Sequence, residues 1–184
     1  AKSRQRVFIV HRLDREVSGL LVFAKTNEAK MTLQRQWKEA EKKYLAVVHG
    51  KMKDAMGTIT SYLAENASHV VFSVPDRQKG KLAHTGYRVL KETKTYSLLE
   101  ITLITGRKHQ IRVHLAETGH PVVGDKKYGR QDKSSGRLAL HACLLAFDHP
   151  FSGERVAFEA PVPVYFNKLM GGERHPKSST GLQE

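Results

Sequence analysis

With 184 residues the chain is long enough for one well-packed domain, and its 31 Lys and Arg against 18 Asp and Glu leave a formal charge of +13. That excess points to a polyanionic partner, nucleic acid first. The one cysteine, Cys143, excludes an intrachain disulfide, and no apolar run reaches the roughly 18 residues of a membrane span.

In chain order, Val7–Val10 and Gly19–Ala24 read as buried strands on either side of a dense polar cluster. Asn27 to about Ala40 reads as a helix in which Ala29, Leu33 and Trp37 recur every four residues, with Trp37 as core anchor. Lys43–His49 is a strand closed by Gly50. Four β-rich runs follow, at Thr58–Leu63, His69–Val74, Thr85–Leu90 and Ser97–Leu103, with a basic loop, Pro75–Lys81, between two of them. Lys108–Thr118 reads as a helix stopped by Gly119, with Pro121 just beyond. Phe147 and Phe158 flank a hairpin loop, and Cys143 lies in an apolar run that suits a buried structural thiol in a reducing compartment. The polar tail from Gly171 is expected to be disordered. No repeat or linker interrupts the pattern. The expected class is α/β of the α+β type, one domain over residues 1–170 and a tail over 171–184, built on a mixed, largely antiparallel sheet.

Two segments carry the chemistry. Charged groups seldom lie beside core strands unless they are paired or reactive, so Asp14, in His11-Arg12-Leu13-Asp14-Arg15-Glu16-Val17-Ser18, is the candidate reactive group. In Gly106-Arg107-Lys108-His109-Gln110-Ile111-Arg112-Val113-His114, helical spacing puts Lys108, His109 and Arg112 on one cationic face beside the apolar stripe Ile111 and Leu115. Arg112 near Asp14 would keep a desolvated carboxylate ionised, and its fork suits a carboxylate. Asp14 could equally pair with Arg12 or Arg15 as a structural bridge.

The segment His11 to Leu21 closely resembles the signature of RluA-type pseudouridine synthases, His-Arg-Leu-Asp followed two residues later by Thr-Ser-Gly, with Val17 in place of the Thr. The resemblance continues through Lys42 to Val48, Gly106 to His114, Gly119 to Gly129, Arg137 to Ala142 and Phe158 to Pro161. It implies the pseudouridine synthase fold with a central catalytic cleft, and isomerisation of uridine within structured ribosomal or transfer RNA. Asp14 matches the catalytic aspartate, Tyr44 the tyrosine that packs on the target base and is implicated in proton removal from C5, and Arg112 the arginine that pairs with the aspartate. Arg12, Arg15, Arg107, Lys108 and His109 become candidate RNA contacts, with the loop Arg77–Lys81 on the rim. No metal or organic cofactor is implied. A monomer in the cytoplasm, with neither DNA nor membrane as partner, is expected. The family commonly has β structure ahead of this signature and often an S4-like RNA-binding domain, so an upstream segment is expected to be missing from a sequence with ten residues before His11.

Other readings fit less well. His109, His114 and His120 lack the spacing of four that puts two metal ligands on one helical face. A glycosidase would need a partner acid for Asp14, and Gly124-Asp125 ahead of Lys126-Lys127 looks more like a turn that organises a basic loop. The main alternative is an RNA-binding or RNA-folding protein that keeps the scaffold without turnover.

Overall fold

Short polar turns between β-rich runs favour antiparallel neighbours. In the computed structural model, which describes residues 6–129 and 136–171, the elements run β1 (Phe8–Ile9), β2 (Ser18–Gly19), β3 (Phe23–Ala24), α1 (Asn27–Arg35), β4 (Glu41–His49), β5 (Met56–Glu65), β6 (Val71–Val74), β7 (Lys81–Glu92), β8 (Tyr96–Leu103), α2 (Gln110–Glu117), β9 (Leu140–Asp148), β10 (Arg155–Glu159) and α3 (Val164–Leu169). The main sheet has the order β10-β9-β4-β8-β7-β5-β6, every neighbour antiparallel, and β2 joins the outer edge of β9 in parallel. This is the expected mixed, mostly antiparallel sheet. The tail beyond residue 171 lies outside the described residues.

Leu45 to Val48 are all buried, so β4 is covered on both faces. The main core joins them to Leu99 and Ile101 of β8, Ile111 and Leu115 of α2, Val122 and Val123 of the loop after α2, and Phe166 of α3. A second, smaller core under α1 gathers Ala29 and Leu33 with Val10, Leu145 and Phe147. No helix among the described residues is long and apolar enough to cross a membrane.

The flanks of the polar cluster differ from expectation. They are not buried strands: β1 and β3 are two residues each and form their own ribbon, with Ile9 62% exposed while Val10 and Ala24 are buried. A short apolar run does not reveal whether one face or two will be covered. Helix α1 stops at Arg35 rather than near Ala40. Beyond it the chain turns so that Ala40 enters the second core and Trp37, only partly buried, stacks on His11 at 4.5 Å; tertiary packing outweighs the four-residue recurrence. Cys143 is half-buried, and burial raises its thiol pKa. The six-residue α3 escaped sequence reading because so short an element carries too little periodicity. Leu99→Ala, at the buried centre of β8, should cost about 2–5 kcal/mol, read as a lower urea midpoint with unchanged slope.

Candidate active site

Asp14 reaches its position through β2. The Val17 N–H donates to the Asp14 carbonyl (3.0 Å), closing a turn, and Ser18 and Gly19 then pair with His141 and Ala142 of β9. Ser18 Oγ also bonds His141 Nδ1 (2.9 Å). Gly19 is required here: it has φ +113°, and a Cβ would stand 2.2 Å from the Ala142 carbonyl oxygen.

Asp125 is built in from the opposite side. The Val123 N–H donates to the Val47 carbonyl (2.9 Å), pairing alongside β4, and Gly124 follows at φ +80° with room for no Cβ beside the Arg137 carbonyl. Asp125 is then 2% exposed. Its Oδ1 accepts the Lys127 and Tyr128 N–H groups at 2.9 and 3.0 Å.

Arg112 of α2, 5% exposed, joins the two carboxylates. Its Nε and Nη2 grip Asp125 at 2.7 and 2.8 Å, while Nη1 donates to Asp14 Oδ2 at 3.1 Å. The Tyr128 ring lies 5.2 Å from the guanidinium. Burial works against the Arg112 charge, but Asp125 and Asp14 more than offset it, so its pKa rises. Burial likewise opposes the Asp125 charge, but Arg112 and the two backbone N–H groups bring its carboxyl below the usual range. The Asp125 end is thus a fixed anchor, and the Asp14 end, with its side chain 22% exposed, faces open space.

That space is a cleft of about 560 Å³, within the range of small-ligand sites. Tyr44 lines it where a register shift between Lys43 and Tyr44 interrupts the pairing of β4 with β9. Burial and the Asp14 charge push the Tyr44 phenol up to about 12. His109 Nε2 lies 3.8 Å from Asp14, and its Nδ1 shares a 2.7 Å hydrogen bond with Tyr128 Oη. Desolvation, aided by Arg112, Lys127 and Lys108, lowers the His109 pKa against the pull of Asp14. Among the described residues lining the cleft, Asp14 is the only carboxylate, against Arg12, Lys38, Lys42, Arg107, Lys108 and Arg112.

Of the residues singled out in the sequence, Asp14, Tyr44, Arg112, Arg12, Arg107, Lys108 and His109 line the cleft, and Arg15 does not. Asp14 pairs with Arg112 and, among the described ion pairs, with neither Arg12 nor Arg15. The shared helical face of Lys108, His109 and Arg112 does not form. Helix α2 starts at Gln110, and His109 precedes it in the left-handed conformation, φ 53°. Gln110 enforces this, because its buried amide oxygen accepts Thr105 Oγ1 and the Arg107 N–H, which holds residues 105–107 as a loop. The other end of the helix is as expected, with Gly119 at φ +85° and its N–H and that of His120 closing on Ala116 and Leu115.

Sequence reasoning missed Asp125 and Tyr128. Asp125 does sit in a turn and organises the basic loop through the Lys127 and Tyr128 N–H groups, but its carboxylate also grips Arg112, which the turn reading did not anticipate. The available signal was an acid directly preceded by two valines and a glycine, Val122-Val123-Gly124-Asp125, which marks a carboxylate entering a core. Among the described residues no group of three or more His, Cys, Asp or Glu could hold a metal.

Comparison with known proteins gives a consistent result. A family described as RNA pseudouridylate synthase matches residues 1–117. Ribosomal large subunit pseudouridine synthase D of Nitrosomonas europaea is 43% identical over 95% of this chain and 54% of its own length. The uncharacterized RNA pseudouridine synthase YlyB of Bacillus subtilis is 44% identical over 84% of this chain and 52% of its own. The chain therefore spans about half the length of these curated relatives. A solved human structure, RNA pseudouridylate synthase domain containing 1, aligns with a TM-score of 0.78 at 28% identity, covering 91% of this chain and 73% of that one.

Asp125→Ala leaves the buried Arg112 without its two-point partner and should cost about 3–5 kcal/mol in chemical denaturation. Stability should also fall in acid. Desolvation, then the Lys42 charge, lowers His11 to about 4, and burial also lowers His109, His114 and His141. The unfolded chain takes up these protons near pH 6.5 and the folded chain does not, so stability present above pH 6.5 is lost as the pH falls toward 4. The thermal midpoint should decline over that window, and less steeply in His11→Gln.

Proposed function

The chain belongs to the RNA pseudouridylate synthase family, and from that premise we propose that it isomerises uridines within structured RNA to pseudouridine, with Asp14 as the catalytic carboxylate. The observation that carries this reading is the ion bridge: Asp14 is presented to an otherwise cationic cleft by a buried arginine that is itself anchored on Asp125. A protein that only binds polyanions has no use for a carboxylate fixed in that place.

The reaction breaks the bond between N1 and C1′, turns the uracil, and joins C5 to C1′. The C5 hydrogen leaves as a proton and N1 takes one up, so the isomerisation balances without oxidant, reductant, hydrolysis or cofactor. Asp14 either attacks C1′ or assists removal of a sugar proton, and Arg112 stabilises its charge until then. Tyr44 packs against the extruded base. With its phenol held at about 12, partly by the Asp14 charge, Tyr44 keeps its proton in the free protein. Once that charge is spent in a bond to the sugar or a proton, the Tyr44 phenol ionises more readily, and the phenolate, its own proton passed to solvent, takes the C5 proton.

Arg12, Arg107, Lys108 and His109 serve as RNA contacts in the cleft, and Arg15 as a contact outside it. Ribosomal RNA is the first substrate to try, on the strength of the relative named for the large subunit, with transfer RNA second. Residues 1–170 act as the catalytic domain, as a monomer in the cytoplasm, on RNA rather than DNA.

Expulsion of the C5 hydrogen provides the test. RNA tritiated at uridine C5 should release tritium with the parent protein; Asp14→Asn should release none, and Tyr44→Phe at least about 100-fold less. Equal release by parent and Asp14→Asn would reject the role of Asp14. Tight RNA binding with no release by the parent would favour the RNA-binding alternative.

A further inference from the structure

A second cavity, of about 530 Å³, lies beyond the loop at Gly106 to Lys108. Its other walls are the end of β5 and the hairpin between β6 and β7, and it shares Arg12, Gly106, Arg107 and Lys108 with the first cleft. Lys79 and Lys81 add to these cations, and Glu65 is its only carboxylate among the described lining residues.

The ridge between the two cavities is fixed and low. Gln110, almost fully buried, takes Thr105 Oγ1 and the Arg107 N–H on its oxygen and donates to the His84 carbonyl and Thr85 Oγ1, each at 2.9 Å. Arg107 Nε is pinned to the Leu82 carbonyl at 3.2 Å. At the crest, Gly106 has no atom within 4 Å of where a Cβ would stand, so a strand can cross the backbone there. The two cavities therefore share a wall of fixed geometry, with open space over Gly106.

Charge is distributed unevenly in the second cavity. Lys79 reaches only Asp76, at 3.9 Å and largely in solvent, and Lys81 makes no ion pair among the described residues. Lys108 is instead held by Glu65, which His69 Nδ1 also contacts at 2.7 Å. These two hydrogen bonds, Lys108 first, bring the Glu65 carboxyl down to about 2, so it stays charged at any working pH.

We propose that the second cavity is a phosphate-backbone groove that holds the RNA strand on one side of the target uridine, led over Gly106, and that Glu65 limits its grip by occupying Lys108. The groove's place beside a uridine site rests on the reading above, but its affinity for RNA can be measured without turnover. A phosphate entering the groove competes with Glu65 for Lys108, so affinity is set below what the cations alone would give.

The test is fluorescence anisotropy of the full chain with a labelled stem-loop RNA over a range of KCl, alongside tritium release. In the double variant Lys79→Gln, Lys81→Gln, the slope of log affinity against log salt should become shallower by about 1.4, at roughly 0.7 per single-strand phosphate contact. Over a fourfold rise in salt, the parent's advantage should then shrink by about sevenfold. Glu65→Gln should bind about two- to fivefold tighter at fixed salt. A trinucleotide that carries only the target uridine and its neighbours should bind parent and double variant alike. Circular dichroism confirms that these surface substitutions leave the fold intact. An unchanged salt slope would overturn the groove, and weaker binding by Glu65→Gln would overturn the limiting role of Glu65. Failure of the parent to release tritium, with the salt shifts intact, would instead overturn only the catalytic reading and leave an RNA groove.

Discussion

The site depends on one guanidinium that serves two carboxylates of different kinds. Arg112 and Asp125 are both withdrawn from water, and a lone ion there would be costly enough to unfold or remodel the region. Their two-point contact offsets that desolvation and orients the fork, so the third donor, Nη1, projects in a fixed direction. Asp14 meets that donor at the edge of the cleft. One anchored ion pair thereby aims a second, and the reactive end is left accessible while the structural end is sealed.

Much of the surrounding architecture maintains that alignment. Asp14 and Asp125 arrive from segments more than a hundred residues apart in sequence, each stitched to a neighbouring strand by backbone hydrogen bonds. Each arrival passes a glycine where any side chain would collide with a carbonyl, Gly19 against Ala142 and Gly124 against Arg137. Between them α2 is held from below by polar contacts as well as by its apolar stripe. Gln110 fixes its start, and the fully buried His114 bonds Thr85 and Ser61 at 2.9 and 3.0 Å. Satisfied buried groups of this type give a helix one register, which apolar packing alone enforces less strictly.

The basic composition acquires a direction from this frame. Cations collect along the cleft and the second cavity, where low-dielectric walls concentrate their field, while the one acid among the described lining residues of each cavity has a fixed partner. In the first cavity the acid is Asp14 on Arg112, turned toward any occupant. In the second it is Glu65 on Lys108, set against one. A strand drawn in by its phosphates would meet both, so attraction and discrimination share the same few side chains.

The sequence alone determined the fold class, the run of strands from Lys43 to Leu103, the stop of α2 at Gly119, and Asp14, Tyr44 and Arg112 as the centre of interest. These are local signals: β-rich runs, a left-handed glycine, and six ordered blocks that resemble one family. Tertiary structure decided the rest. The flanks of the polar cluster became short strands with an exposed face, because cover on a strand comes from what packs on it and not from its own residues. His109 left the helix because Gln110 found partners on β7 and in the loop before α2. Asp125 became the anchor of Arg112 because residues 122–123 pair alongside β4, and the Val-Val-Gly run before it signals a buried acid without naming its partner. Pairings between segments this far apart follow from the closed sheet, since the free energy that fixes them is shared by every strand between.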